Sequence, residues 1–258
     1  MALQAQSAKQ YFKAGEDFTK AMNYANAIDQ YTKAIELDPD YEKAYFNRGE
    51  AYANTGNHEH AAMDFDRAIV FDDKEAELYY FAGREWYLNG TFDKALDKLS
   101  AAIDLKKNFL EAYQIRSKVY VELQAYRLAL DDCLRCLKLE EDEKAYYELA
   151  QVYEKLEMWD EAEEAYKNSI NENRRIVQTH FALAGLLFER EKYSEASNSI
   201  IQVLQMEPYH LDGILLQSQI LSAQGNYPKA SEVLSMASIE YPDEPSIYIC
   251  LLYTSPSP

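Results

Sequence analysis

Residues 42–75 read EKAYFNRGEAYANTGNHEHAAMDFDRAIVFDDKE, and residues 76–109 read AELYYFAGREWYLNGTFDKALDKLSAAIDLKKNF. Set one above the other, they place Phe46 over Tyr80, Gly49 over Gly83, Tyr52 over Trp86 and Ala61 over Ala95. The alanine of this register recurs along the chain as Ala27, Ala61, Ala95, Ala129, Ala162, Ala196 and Ala230, at intervals of 34, 34, 34, 33, 34 and 34 residues. Self-similarity at a fixed period of this length marks a repeat array. Placing the alanine at position 20 defines seven repeats, 8–41, 42–75, 76–109, 110–142, 143–176, 177–210 and 211–244, behind a lead-in at 1–7.

Further columns align in the same frame. Position 8 is small throughout, as Gly15, Gly49, Gly83, Ser117, Ala150, Ala184 and Ser218. Position 11 is large and apolar or aromatic, and position 17 is aromatic in every repeat except at His58. Positions 4, 8 and 11, and again 20, 24 and 27, are three or four residues apart, so each set lines one face of an amphipathic helix. Each repeat is thus predicted to be a helical hairpin, with small residues where the paired backbones approach. NTGNHEH, LNGTF and AQGNYPK supply the turns. Single helices of this length are marginal alone, so stability must come from stacking neighbours into a continuous core.

The columns closely resemble the tetratricopeptide repeat, whose 34-residue unit carries large residues at 4, 11 and 24, small ones at 8, 20 and 27, and often Pro at 32. Pro39, Pro208 and Pro242 match the last of these, whereas Asp73, Lys107, Glu141 and Arg174 depart from it, and turns without Pro are expected to be less sharply fixed. The resemblance spans residues 8–244 and implies an all-α fold, a right-handed superhelical solenoid of helix-turn-helix repeats. It further implies a concave groove lined by positions 2, 5, 9 and 12 of the first helices, where a peptide or partner helix binds. Position 5 reads Phe12, Phe46, Tyr80, Gln114, Tyr147, Phe181 and Leu215. Rings there supply large apolar area at low entropic cost, as a peptide anchor requires. Asn47 at position 6, Arg84 and Lys118 at position 9 and Tyr87 at position 12 join the candidate groove residues, the two cations as receivers of a carboxylate.

Tetratricopeptide cochaperones hold an acidic chaperone tail with Lys at 5 and Asn at 9, then Asn at 6, then Lys at 2 and Arg at 6, in successive repeats. The first three repeats here supply Phe12, Glu16, Asn47, Glu77 and Phe81. Only Asn47 fits, and Glu16 and Glu77 would repel carboxylates, so a chaperone C-terminal tail is not expected as partner. Nor are nucleic acid and anionic membranes, since 44 acidic against 26 basic residues give a net charge of −18. MALQAQSAKQ carries no basic stretch followed by an apolar run, and no 18 consecutive apolar residues occur, so a soluble, cytoplasmic protein is expected.

Catalytic and metal chemistry find little footing. Cys133 and Cys136 form a CxxC without a second pair and occupy core positions 24 and 27, where thiols act as small hydrophobes. His58-Glu59-His60 lacks the spacing that puts two ligands on one helical face and reads as a solvated turn. No phosphate loop or nucleophile signature appears. The expectation is a scaffold for protein-protein interaction with no catalytic residue, metal or cofactor. A second expectation makes the array a regulatory or targeting arm of a larger enzyme. Residues 245–249 begin an eighth repeat with Tyr248 at position 4. The closing CLLYTSPSP, residues 250–258, has no charge and no helical periodicity, resembles a translated transposase adapter from sequencing-library preparation, and is expected to be foreign to the protein.

Overall fold

The structure, a computed structural model, describes residues 2–254, and these hold fifteen helices and no strand. They fall into two compact lobes, Met1–Leu139 and Glu140–Pro258, divided just ahead of Glu143, where the alanine interval shortens to 33. The first lobe contains α1 (Ala2–Lys20), α2 (Tyr24–Leu37), α3 (Glu42–Asn54), α4 (His58–Ile69), α5 (Ala76–Leu88), α6 (Phe92–Leu105), α7 (Leu110–Glu122) and α8 (Tyr126–Leu139). The second contains α9 (Glu143–Lys155), α10 (Trp159–Glu172), α11 (Val177–Glu189), α12 (Tyr193–Met206), α13 (Leu211–Ala223), α14 (Tyr227–Glu240) and α15 (Pro245–Thr254). Within each lobe, successive helices pair as antiparallel hairpins and each hairpin packs on the next. No helix among the described residues is long and apolar enough to cross a membrane.

All seven alanines at position 20 are fully buried. The reason for a small position 8 is visible at its glycines. A Cβ built on Gly15 would lie 2.5 Å from the Tyr31 ring, one on Gly49 3.1 Å from Phe65, and one on Gly83 2.7 Å from Leu99. In each case the obstructing side chain is position 24 of the same hairpin and is itself fully buried. Cores run across hairpins: one cluster draws Ala62, Trp86, Leu99, Ala112, Val119 and Cys136 from three successive repeats.

Each hairpin closes by the same backbone device. The residue at position 15 is left-handed in all seven, with φ between 54° and 77°: Met22, Gly56, Gly90, Gln124, Glu157, Glu191 and Gly225. Its N–H bonds the carbonyl three residues back, and the next N–H reaches the carbonyl five back, as in Gly90 to Tyr87 and Thr91 to Trp86, both 2.9 Å. This is a Schellman closure, which satisfies carbonyls that the helix end leaves open. Left-handed backbone costs a non-glycine residue about 1–2 kcal/mol. Gln124→Gly is therefore expected to stabilise the chain by about 1 kcal/mol and Gly90→Val to destabilise it by about 1–2 kcal/mol, both readable by chemical denaturation. The turns between repeats close alike with and without Pro: Asp38 before Pro39 and Lys106 before Lys107 each donate to the carbonyl four residues back, Ala34 and Ala102, at 2.9 Å. Backbone bonding, rather than proline, fixes these turns.

Two charged clamps stiffen the first lobe. Arg48 of α3 forms a two-point pair with Asp64 of α4 at 2.8 and 2.7 Å, while its third nitrogen donates to Thr32 of α2. Arg116 of α7 repeats this with Asp132 of α8 at the same distances and with Ser100 of α6. Each guanidinium sits between two tyrosine rings, Tyr45 and Tyr52 or Tyr113 and Tyr120, at 5.5–5.9 Å from their centroids. The aromatic slot supplies cation–π attraction and excludes water from the pair.

At the two ends the structure departs from the sequence reading. α1 begins at Ala2, so the lead-in at 1–7 is the opening of that helix, with Met1 outside the described residues. α15 runs unbroken across Cys250, because Cys250 and Leu251 pack beside Ile214, Leu234 and the fully buried Ile247. The stretch read as lacking helical periodicity is thus helical as far as Thr254, and residues 255–258 lie outside the described residues.

Candidate functional site

The position-5 rings are all half-buried, and each leans on a nearby ring. Phe12 lies 5.6 Å from Tyr31 and 4.9 Å from Tyr41. Phe46 meets Phe65 and Phe81, both at 5.6 Å, and Tyr80 meets Phe81 and Phe109 at 5.5 and 5.1 Å. Asn47 donates to the Tyr31 hydroxyl at 3.4 Å, Tyr87 packs on Phe92, and Lys118 is half-buried on α7. The Arg84 guanidinium is held by Glu85 at 2.7 Å, and the same buried carboxylate accepts from His58 at 2.7 Å. His58 to His60 are therefore the first turn of α4, with Glu59 and His60 exposed as the sequence suggests and His58 instead tied to the buried Glu85. Cys133 and Cys136 are buried in the core, and the described residues hold no cluster of three or more metal-ligating side chains.

In the second lobe two of the candidates come together. Tyr147 of α9 and Phe181 of α11 line a cavity of about 680 Å³, with Gln151 and Glu154 of α9, Trp159 and Tyr166 of α10, and Gln178, Gly185 and Glu189 of α11. The first helices contribute positions 5, 9 and 12 from one repeat and 2, 5 and 9 from the next, because residues at those spacings share a helical face. Gly185 has nothing within 4 Å of where its Cβ would stand, so it leaves the wall open. Both amides converge on one hydroxyl: Gln178 donates to Tyr147 Oη at 2.9 Å and Gln151 at 3.2 Å. The ring of Tyr147 stands 5.8 Å from that of Tyr166.

Electrostatically the cavity is acidic. Burial pushes the Glu154 carboxyl above its usual range, and a hydrogen bond with Tyr166 only partly offsets this. Burial likewise raises the phenols of Tyr147 and Tyr166. Arg190 stands at the rim, but its guanidinium is bound to Asp160 at 2.5 Å and Glu163 at 2.7 Å. Burial alone would raise Glu163, yet Lys167 and Lys192 outweigh it and hold its carboxyl below the ordinary range. That network pins the turn between α11 and α12 to α10 and so fixes one wall of the cavity.

Sequence reasoning passed over most of this wall. Gln151, Glu154, Gln178 and Gly185 occupy groove positions already named, but an amide or a missing side chain carries no such signal in sequence as a ring or a cation does. Trp159 and Tyr166 belong to a second helix, at positions 17 and 24, where an aromatic signals core. A smaller cavity of about 420 Å³ lies between α12, α13 and α14, with Tyr209, Met236 and Tyr241 in its lining.

In sequence, models of the TPR repeat match residues 10–56, and models of the tetratricopeptide repeat match residues 42–73 and 143–175. Among curated proteins, no match to the chain is found. Solved structures resemble it closely in fold. The C-terminal part of a TPR repeat-containing protein from Cytophaga hutchinsonii superposes with a TM-score of 0.79 at 15% identity, over 93% of this chain and 99% of its own. A tetratricopeptide repeat protein from Parabacteroides merdae gives 0.70 at 20% identity, over 96% and 99%. YrrB, described as a TPR protein with an unusual peptide-binding site, gives 0.61 at 23% identity, over 72% and 97%. The fold class is accordingly the all-α helical-repeat superhelix.

Proposed function

We propose that this chain, which models of the tetratricopeptide repeat match over residues 10–56, 42–73 and 143–175, is a non-catalytic interaction scaffold that binds a peptide or helical segment of a partner along the first helices of its repeats. The observation that carries this reading is the open cavity of about 680 Å³ in the second lobe, where rings and paired amides from two successive first helices face one space. Its size falls within the range of small-ligand and peptide side-chain pockets, roughly 300–1,000 Å³. Tyr147 and Phe181 supply apolar anchors, and the Gln151 and Gln178 amides can exchange their bonds to Tyr147 for bonds to a peptide backbone. YrrB, with the same fold and a peptide-binding site, supports the class of ligand. In the first lobe the reading assigns the same role to the half-exposed edges of Phe12, Phe46, Asn47, Tyr80, Arg84, Tyr87 and Lys118. A protein partner in a soluble compartment fits the acidic surface, and nucleic acid does not.

The test is selection of binders from a displayed random-peptide library against the full chain, followed by affinity measurement on a Tyr147→Ala, Phe181→Ala double variant. Loss of two anchors is expected to weaken the selected peptides at least tenfold while the thermal midpoint moves little, since both rings are only half-buried. Unchanged affinity in the double variant would place binding elsewhere.

A further inference from the structure

Building on that reading, we propose that the cavity between α9, α10 and α11 selects a positively charged side chain, a lysine or arginine of the bound peptide. Its cationic end would be seated among the rings of Tyr147, Trp159, Tyr166 and Phe181 and paired with Glu154 and Glu189. Three independent features converge on a cation. Aromatic rings attract one through their quadrupoles, more strongly where water is excluded, and four rings line this single space. The lining carries two carboxylates, Glu154 and Glu189, and neither forms an ion pair among the described residues. The lining residue of opposite charge, Arg190, is already neutralised by Asp160 and Glu163.

The energetics agree with the geometry. Burial raises the Glu154 pKa by more than the hydrogen bond with Tyr166 and the Lys155 charge lower it, and an entering ammonium or guanidinium would supply further counter-charge. The aliphatic stem of lysine or arginine would lie against the apolar wall of Ala182 and Leu186 while the head reaches the acid. At longer range, the net charge of −18 draws basic segments toward the protein and speeds their encounter. A glutamate-rich or phosphorylated peptide would meet the opposite of each of these terms.

The experiment titrates the full chain with two blocked pentapeptides of alanine, one with lysine at its centre and one with norleucine, which keeps the stem and drops the charge. Trp159 fluorescence is the signal, with Trp159→Phe as the control that assigns it. The lysine peptide is expected to bind at least tenfold more tightly, and Glu154→Gln to remove that preference with the far-ultraviolet circular dichroism unchanged.

A second measurement needs no variant. As pH falls through the raised range of Glu154, lysine-peptide affinity should decline while norleucine-peptide affinity stays level. The charged and titratable groups around Glu154 are Tyr147 and Lys155 on α9, Tyr166 on α10, and Glu189 and Arg190 at the end of α11. Equal binding of both peptides, with Trp159 responding, would overturn the choice of a cation and leave an apolar peptide groove. No Trp159 response to either peptide would remove the cavity from the groove altogether.

Discussion

Gly83→Ala is expected to lower the stability of the chain by about 1–3 kcal/mol, the range for forcing atoms into a filled core, although alanine ordinarily favours a helix over glycine by about 1 kcal/mol. The sign reverses because the new methyl would stand 2.7 Å from Leu99 Cγ and 3.2 Å from the Leu99 backbone nitrogen. Neither neighbour can move freely, since Leu99 is fully buried within a cluster drawn from three repeats. Leu99→Ala alone should cost about 2–5 kcal/mol for the apolar area and the cavity left behind. The informative protein is the double variant. With Leu99 shortened, the 2.7 Å clash with Cγ is removed and only the 3.2 Å approach to the backbone nitrogen remains, so Gly83→Ala should cost clearly less in that background. Urea denaturation of the four proteins measures the coupling, and strict additivity would show that position 8 is small for some reason other than its partner at position 24.

Arg116→Ala is expected to cost about 3–5 kcal/mol, because it strands the Asp132 carboxylate inside the protein without its counter-charge. Only 5% of the Asp132 side chain is exposed, against 17% for Arg116. Burial pushes the carboxyl of Asp132 above its usual range even with the guanidinium in place, and Arg116 pulls it only partly back. Replacing both partners by apolar residues, as in Arg116→Met with Asp132→Leu, should recover most of the loss, since a packed apolar pair has no desolvation to offset. The Ser100 hydroxyl loses its Arg116 donor as well, which links the damage to the preceding hairpin. Chemical denaturation reads all three variants. A single variant no less stable than the double one would mean that the clamp is solvated in solution.

The fold was legible because its determinants recur. Alanine at position 20 is fully buried in every hairpin, and the glycine at position 8 of the first three leaves room for the position-24 side chain of its own hairpin, so a recurring steric constraint appears as columns. What occurs only once or twice leaves no column. The Arg48–Asp64 and Arg116–Asp132 clamps sit at positions 7 and 23 of two repeats alone, and each closes over 16 residues of sequence. The left-handed residue is a glycine in three turns but Met22, Gln124, Glu157 and Glu191 in the others, so side-chain identity conceals a backbone conformation that is uniform. The position-5 rings were read from their spacing, yet spacing cannot say how deeply a ring sinks. Phe46 and Tyr80 turned out half-buried against Phe65, Phe81 and Phe109. The cavity wall escaped notice for the complementary reason: it takes residues from three helices, and Gly185 contributes by what it lacks.

The close fit between position 8 and position 24 also decides what can be transplanted. A first helix bearing glycine is shaped to the bulk of its own second helix, Tyr31, Phe65 or Leu99. Recombination that cut between the two would mate a shallow notch with an oversized knob, or the reverse. Cuts made in the turns between repeats would carry both halves of the lock together, so the smallest segment that such an array can shuffle, duplicate or donate is the whole hairpin.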